Sequence, residues 1–294
     1  MKILVTGAQG QLARCLAETP FPAGVEALFA ARPELDLAVP GSAASVIERL
    51  RPDAVINAAA YTAVDQAEAE PALAFRVNVA GAEEVAAAAA RTGAPVIQIS
   101  TDYVFDGRGE RPYREDAATG PVNVYGASKL EGEDRVRAAN PAHLIVRTSW
   151  VYSAFGGNFV RTMLRLAADR SELRVVGDQL GRPTSAHDLA WALADVVSRW
   201  QAGDTTGQGQ TYHVAAGGQC SWAEFATEIF GNSKALGGPG ASVVPIATED
   251  YPTPASRPRY SVLDTAKFER DFGVRLPDWR VSVEGVIRRL LGGL

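Results

Sequence analysis

Two cysteines, Cys15 and Cys220, are all that 294 residues contain. A chain of this length can bury a core without staples, so both are expected as free thiols in a reducing cytoplasm. Three histidines, His143, His187 and His213, are scattered without ligand spacing, so no metal centre is expected. Basic residues are not in excess: the net charge is −5 and the pI about 5.4, which removes the footprint of a nucleic-acid or membrane-surface binder. No apolar run approaches the ~20 residues of a membrane span. Met1 leads straight into a strand-like ILV and not into a signal peptide. What is present, 47% hydrophobic and 21% charged residues, is the balance of an ordinary globular chain. The expectation is a soluble cytoplasmic protein of one large domain or two intimate ones.

The first half alternates regularly. β-Prone apolar runs fall at Lys2–Thr6, Glu26–Ala30, Ala54–Asn57, Val96–Ser100 and His143–Arg147. Helix-compatible stretches separate them at Gln11–Glu18, Ser42–Leu50, Pro71–Arg91 and Tyr125–Ala139. Strands that are apolar throughout, alternating with helices, predict an α/β fold: a doubly wound parallel sheet of the Rossmann type. After Arg147 the rhythm breaks. A helix is expected at Asn158–Ala168, a strand at Leu173–Val176, a helix at His187–Trp200 and a strand at Thr211–Ala215, with a loop-rich Asn232–Arg259. Residues 1–149, with returning segments at about 184–216, are read as a dinucleotide-binding domain. Residues 150–183 and 217–294 are read as a smaller, interleaved substrate-binding domain.

Three signals converge on the carboxyl edge of that sheet, where ligands of such folds bind. The first is Gly7-Ala-Gln-Gly10 between the first strand and the first helix. Glycines let the backbone approach a pyrophosphate, and the free N–H groups of Gln11 and Leu12 at the helix start favour its charge. Ala13 stands where the usual fingerprint has a third glycine. The second strand ends without the acidic residue that would bind a ribose 2′-hydroxyl; Arg32 follows and suits a 2′-phosphate instead. The second signal is Ser100-Thr101-Asp102 at the end of the fourth strand. The third is Tyr125-Gly-Ala-Ser-Lys129, which sets a phenol and an ammonium on one helix face. A lysine one turn away is expected to lower the phenol pKa and make a proton-transfer device.

Together these motifs resemble the extended short-chain dehydrogenase/reductase family. The likeness continues through NAAAYTAVDQAE at Asn57–Glu68, STDYVFDG at Ser100–Gly107, NVYGASKLEGE at Asn123–Glu133, RTSWVY at Arg147–Tyr152, DQLGRPT at Asp178–Thr184 and YPTPASRP at Tyr251–Pro258. The last three separate reductases of nucleotide-linked 4-keto sugars from epimerases and dehydratases. The resemblance implies hydride transfer from NADPH, with NADH also admitted, to the C4 ketone of dTDP-4-dehydro-β-L-rhamnose, giving dTDP-L-rhamnose. Tyr125 would protonate O4, Thr101 would hydrogen-bond the same oxygen, and Lys129 would hold the nicotinamide ribose. Asp36 and Leu37 would touch the adenine, and Ala60, Tyr61 and Thr62 would border the cofactor. Asp102 and Trp150 would line the sugar pocket, and Arg257 would meet the diphosphate.

Two other functions fit the same resemblance: reduction of a different nucleotide-4-ketosugar, and a non-catalytic role like that of the regulatory partner of methionine adenosyltransferase. Some family members are described as dimers joined through magnesium, held by glutamates of the first helix, the segment after GxPT and the C-terminal helix. The corresponding positions here are Cys15, His187 and Arg288-Arg289, and none offers the hard oxygen that magnesium requires. A monomer, or a dimer formed without metal, is therefore expected.

Overall fold

The computed structural model describes residues 1–292. The first strands are β1 (Lys2–Thr6), β2 (Glu26–Ala30), β3 (Ala54–Asn57), β4 (Val96–Thr101) and β5 (His143–Thr148). Between them run α1 (Gln11–Glu18), α2 (Ser42–Leu50), α3 (Val64–Ala69), α4 (Pro71–Phe75), α5 (Ala82–Arg91) and α6 (Val124–Ala139). The remaining strands are β6 (Val151–Tyr152), β7 (Glu172–Val176), β8 (Leu180–Gly181), β9 (Thr184–Ser185), β10 (Gln210–His213), β11 (Cys220–Ser221) and β12 (Ser242–Ile246). The remaining helices are α7 (Phe159–Ala167), α8 (Ala186–Gln201), α9 (Trp222–Ala235), α10 (Ala266–Phe272) and α11 (Trp279–Gly292).

Among the described residues six strands form one parallel sheet in the order β10-β5-β4-β3-β1-β2. Its central strands are largely apolar on both faces because helices cover both. On one side α1 and α8 pack with Phe268 and Phe272 of α10; on the other lie α2 and α5. The chain leaves β1 toward β2 and then returns past it to β3, so the topological switch point falls between β1 and β3. A separate core joins α7, α9, α11 and β7 around Phe225, Phe230 and Trp279. Side chains fix several helix starts. Asn123 accepts from the Gly126 N–H at 2.7 Å, and Ser221 and Glu224 close a reciprocal capping box. No described helix is long and apolar enough to cross a membrane.

Three expectations need correction. The run Pro71–Arg91 is not one helix: a π-helical turn, Arg76–Gly81, interrupts it. Alanine content hid that insertion, whose role is to turn Asn78 inward beneath α6. Within Asn232–Arg259, β12 pairs in parallel with β7. Its sequence, SVVPI, is short and apolar, but Pro245 argues against a strand and the surrounding glycines and prolines hide it. Finally, α10 lies in the stretch assigned to the smaller domain but packs into the sheet core through Phe268 and Phe272, with Leu276 just beyond it.

Helix α6 lies close to that π turn. A Cβ on Gly132 would sit 2.1 Å from the Asn78 carbonyl oxygen, so only glycine permits this approach. Gly132→Ala is expected to cost on the order of 1–3 kcal/mol in urea unfolding. Gly285→Ala, mid-helix in α11 with nothing within 4 Å of the added methyl, should instead gain roughly 0.5–1 kcal/mol. Equal midpoints for the two variants would contradict this packing.

Candidate active site

At the switch point the turn after β1 is built for a close backbone approach. Gly7 has φ +71°, and a Cβ there would lie 2.9 Å from the Ala59 backbone. Beneath it a buried chain of hydrogen bonds locks β1, β3 and β4 together. Thr6 donates to Asn57 Oδ1 at 2.6 Å, and the Asn57 amide donates to Gln98 Oε1 at 2.7 Å. Gly10 then begins α1, whose first N–H groups are left without helical partners. The Gln11 and Leu12 side chains turn elsewhere. Gln11 Oε1 accepts from Ser153 and Asn158 at 2.9 and 3.0 Å, and Leu12 is buried in the core. Each leaves only its backbone to a ligand at this turn. Arg32 is exposed just beyond β2 and makes no side-chain hydrogen bond among the described residues. Asp36 Oδ1 accepts from the Ala38 N–H at 2.9 Å, and Leu37 is buried against Gly81.

Beside β3, Tyr61 is pinned through its backbone to Asn78, which accepts its N–H at 2.9 Å and donates to its carbonyl at 3.0 Å. Asn78 also donates to Ser128 Oγ at 2.9 Å, one residue before Lys129. Ala60 and Thr62 flank Tyr61 at this outlet of β3. The Tyr61 phenol is turned to Glu70, to which it donates at 2.9 Å.

Thr101, Tyr125 and Lys129 are all buried at the end of β4 and the start of α6. Lys129 Nζ donates to the Ile99 carbonyl at 2.7 Å and makes no other hydrogen bond among the described residues. Burial brings this ammonium down to about 8, and the Glu133 carboxylate one turn on opposes the fall. Glu133 is itself fully buried. It accepts from Ser100 at 2.6 Å and from Arg147 at 2.7 and 2.9 Å.

The Tyr125 phenol departs from expectation. Burial pushes it up to about 12, the Thr101 hydroxyl pulls it down, and the Asp102 charge raises it further. Burial, and not the Lys129 ammonium, sets the direction of this shift.

Asp102 Oδ1 accepts from the Thr101 hydroxyl at 3.0 Å, while Oδ2 has no partner among the described residues. Burial pushes this carboxyl up to about 6, against the hydroxyls of Ser261 and Thr101. Trp150 adopts φ +48°, uncommon for a bulky residue, and stacks on Trp222 with centroids 3.4 Å apart. A Cβ on Gly181 would strike the Trp150 indole at 2.3 Å, so glycine makes room for the ring. Arg257 arrives already paired. Its guanidinium grips both oxygens of Asp65 at 2.7 and 2.9 Å and also donates to Thr253 and to the Ala255 carbonyl. It therefore bridges α3 to the 253–257 segment, and any phosphate would compete with Asp65.

The three positions considered for a bridging metal do come together, but as an ion-pair cluster. Cys15 Sγ lies 3.5 Å from His187 Nδ1, His187 Nε2 lies 3.1 Å from Glu18, and Arg289 grips Glu18 bidentately at 2.5 Å. A guanidinium there repels a cation, so these residues do not fit magnesium. The described residues contain no group of three metal-ligating side chains.

A doubly wound sheet that places a Thr–Tyr–Lys trio beside a glycine turn at its switch point defines an oxidoreductase of the short-chain dehydrogenase/reductase type. Comparison narrows the class: the chain belongs to the family described as RmlD substrate binding domain, whose model matches residues 1–291. It is 47% identical over 291 residues to a dTDP-4-dehydrorhamnose reductase of Sinorhizobium fredii, covering 99% of this chain and 98% of that one. Among solved structures, a dTDP-4-dehydrorhamnose reductase of Clostridium acetobutylicum is 40% identical with a TM-score of 0.91, covering 99% of this chain and 100% of that chain. Another, from Bacillus anthracis in complex with NADP, is 37% identical with a TM-score of 0.89, covering 98% of this chain and 99% of that chain.

Reading the motifs alone missed Asn78, Glu133, Asp65 and Trp222. Glu133 was the findable one, since it follows Lys129 by four residues on the same face.

The buried Asp102 carboxyl makes a pH prediction. Its pKa in the fold, about 6, lies above the ordinary 3.8, so its ionisation destabilises the folded state above that window and ceases to do so below it. Asp102→Asn, which removes the charge, should raise the thermal midpoint at pH 8 relative to wild type. The difference should shrink toward zero as the pH falls through the interval between the two values, and turnover should drop. A midpoint difference independent of pH would show that Asp102 does not titrate there.

Proposed function

We propose that the chain reduces the C4 ketone of dTDP-4-dehydro-β-L-rhamnose with NADPH, yielding dTDP-L-rhamnose. One observation carries the chemistry: Thr101, Tyr125 and Lys129 are buried together where β4 ends and α6 begins. The names of the full-length relatives support the substrate, and the NADP complex of the Bacillus anthracis reductase supports the cofactor. The Gly7 cradle and the free N–H groups after Gly10 suit a pyrophosphate, and Arg32 suits a 2′-phosphate. NADPH, when bound, supplies the hydride.

This chain's residues do the rest. Tyr125 donates its proton to O4 as the ketone oxygen gains charge; burial keeps the phenol protonated before the reaction. Thr101 hydrogen-bonds the same oxygen. The remaining hydrogens of Lys129 would hold ribose hydroxyls of the cofactor, while its bond to Ile99 fixes the direction of the ammonium. Asp102 Oδ2 and the Trp150 indole border the sugar. We assign the sheet with α8, β10 and α10 to the dinucleotide and the separate core around Phe225 to the substrate lobe. A chain of this kind is read as a soluble enzyme acting without a metal-bridged interface.

Tyr125→Phe should lower turnover by roughly 10²–10⁴ with cofactor affinity nearly intact, since the ring still packs and only the donor is lost. Lys129→Met should reduce both. Retention of more than half of wild-type turnover by Tyr125→Phe would remove it from the mechanism. Arg32→Ala should raise KM for NADPH and leave NADH nearly unchanged; an equal effect on both would place Arg32 away from the 2′-phosphate. Steady-state assay with dTDP-4-dehydrorhamnose generated in situ, beside UDP- and GDP-linked analogues, tests the substrate.

A further inference from the structure

Outside the site just described, a cavity of about 360 Å³ opens between α1, the 154–156 turn and the end of α11. Arg14, Arg161 and Arg289 all line it, together with Phe155, Gly156 and Leu290. The chain as a whole carries a net charge of −5, so three guanidinium groups in one concavity invert the local sign. Only one of them is neutralised. Arg289 is gripped by Glu18, whose carboxyl its hydrogen bonds hold down to about 2. Arg14 makes no side-chain hydrogen bond or ion pair among the described residues. Arg161 gives one bond, to the Ala154 carbonyl at 2.8 Å, and has no carboxylate partner among them.

These cations are held in place. The Arg14 guanidinium carbon sits 3.9 Å from the Phe155 ring centroid and that of Arg289 sits 4.6 Å from the same centroid. Phe155 is fixed in turn, because its carbonyl accepts from Ser153 and Asn158, which both bond Gln11. Gathering three guanidinium groups on one cavity with a carboxylate partner for only Arg289 costs electrostatic repulsion, and a dianion seated against Arg14 and Arg161 would relieve it. Planar forks of N–H donors match the oxygens of a phosphate.

We propose that this cavity is a binding site for a dianionic phosphate group, taken as free phosphate or pyrophosphate or as the phosphate of a nucleotide. It is separate from the glycine turn and from the Tyr125 site. The test uses full-length enzyme saturated with NADPH and the product dTDP-L-rhamnose, so that the cofactor site and the substrate site are both closed to competing anions. Calorimetric titration at constant ionic strength compares inorganic phosphate, pyrophosphate and dTMP. The wild type should bind at least one of them, and Arg14→Ala/Arg161→Ala should weaken that binding by roughly tenfold or more. The lysine pair Arg14→Lys/Arg161→Lys should retain most of it. Both arginines are exposed, so kcat and KM for ketone reduction should be unchanged in all variants, which also reports intact folding. Preference for dTMP over the inorganic ions would identify a nucleotide as the source; the reverse order would identify a free anion. Binding equal in wild type and the alanine pair, or no saturable binding of any of the three to wild type, would overturn the proposal.

Discussion

A single wholly buried carboxylate holds the catalytic helix in register. Glu133 sits under Lys129 and receives hydrogen bonds from Ser100 on β4 and Arg147 on β5, with Arg137 on its own helix adding another at 2.7 Å. Such a charge would be intolerable alone; here three donors pair it in the dry interior. Because Ser100 precedes Thr101, the same carboxylate ties the strand that carries Thr101 to the helix that carries Tyr125 and Lys129. It also supplies the negative potential that keeps Lys129 cationic despite burial. Chemistry at the sheet edge thus depends on an ion pair one helical turn below it.

A second constraint sets the opposite wall. Trp150 leaves β5 through a left-handed backbone conformation, which turns its indole over Gly181 and against Trp222. The Trp222 ring is in turn fixed by Gln179, which accepts from its Nε1 at 3.2 Å. Residues distant in sequence therefore decide where one aromatic plane stands. Backbone strain of this kind persists only where surrounding packing over-determines it.

What the sequence made legible was whatever repeats or has a local chemical reason. The five leading strands, α1 with its glycine turn, and the Tyr125–Lys129 spacing all follow from periodicity or from a backbone demand. Family likeness extended this to Thr101 and Trp150. Long-range compensation stayed hidden. That Asp65 already occupies Arg257, that Gln11 bonds Ser153, and that Tyr125 is buried are facts of three-dimensional neighbours. Strand β12 was missed for a different reason: Pro245 interrupts a short apolar run, and a proline argues against a strand except at an edge.

That edge has its own logic. Ser242 donates its N–H to Ser171 beside β7 and Ile246 accepts there from Gly177, so alternation turns the backbone N–H positions of 243 and 245 outward. Position 245 is proline, and the outward row therefore lacks a donor midway along a two-stranded ribbon. A proline on the free side of an edge strand prevents another chain from continuing the ladder. The residue that disguised the strand in the sequence thereby protects the folded protein against edge-to-edge aggregation.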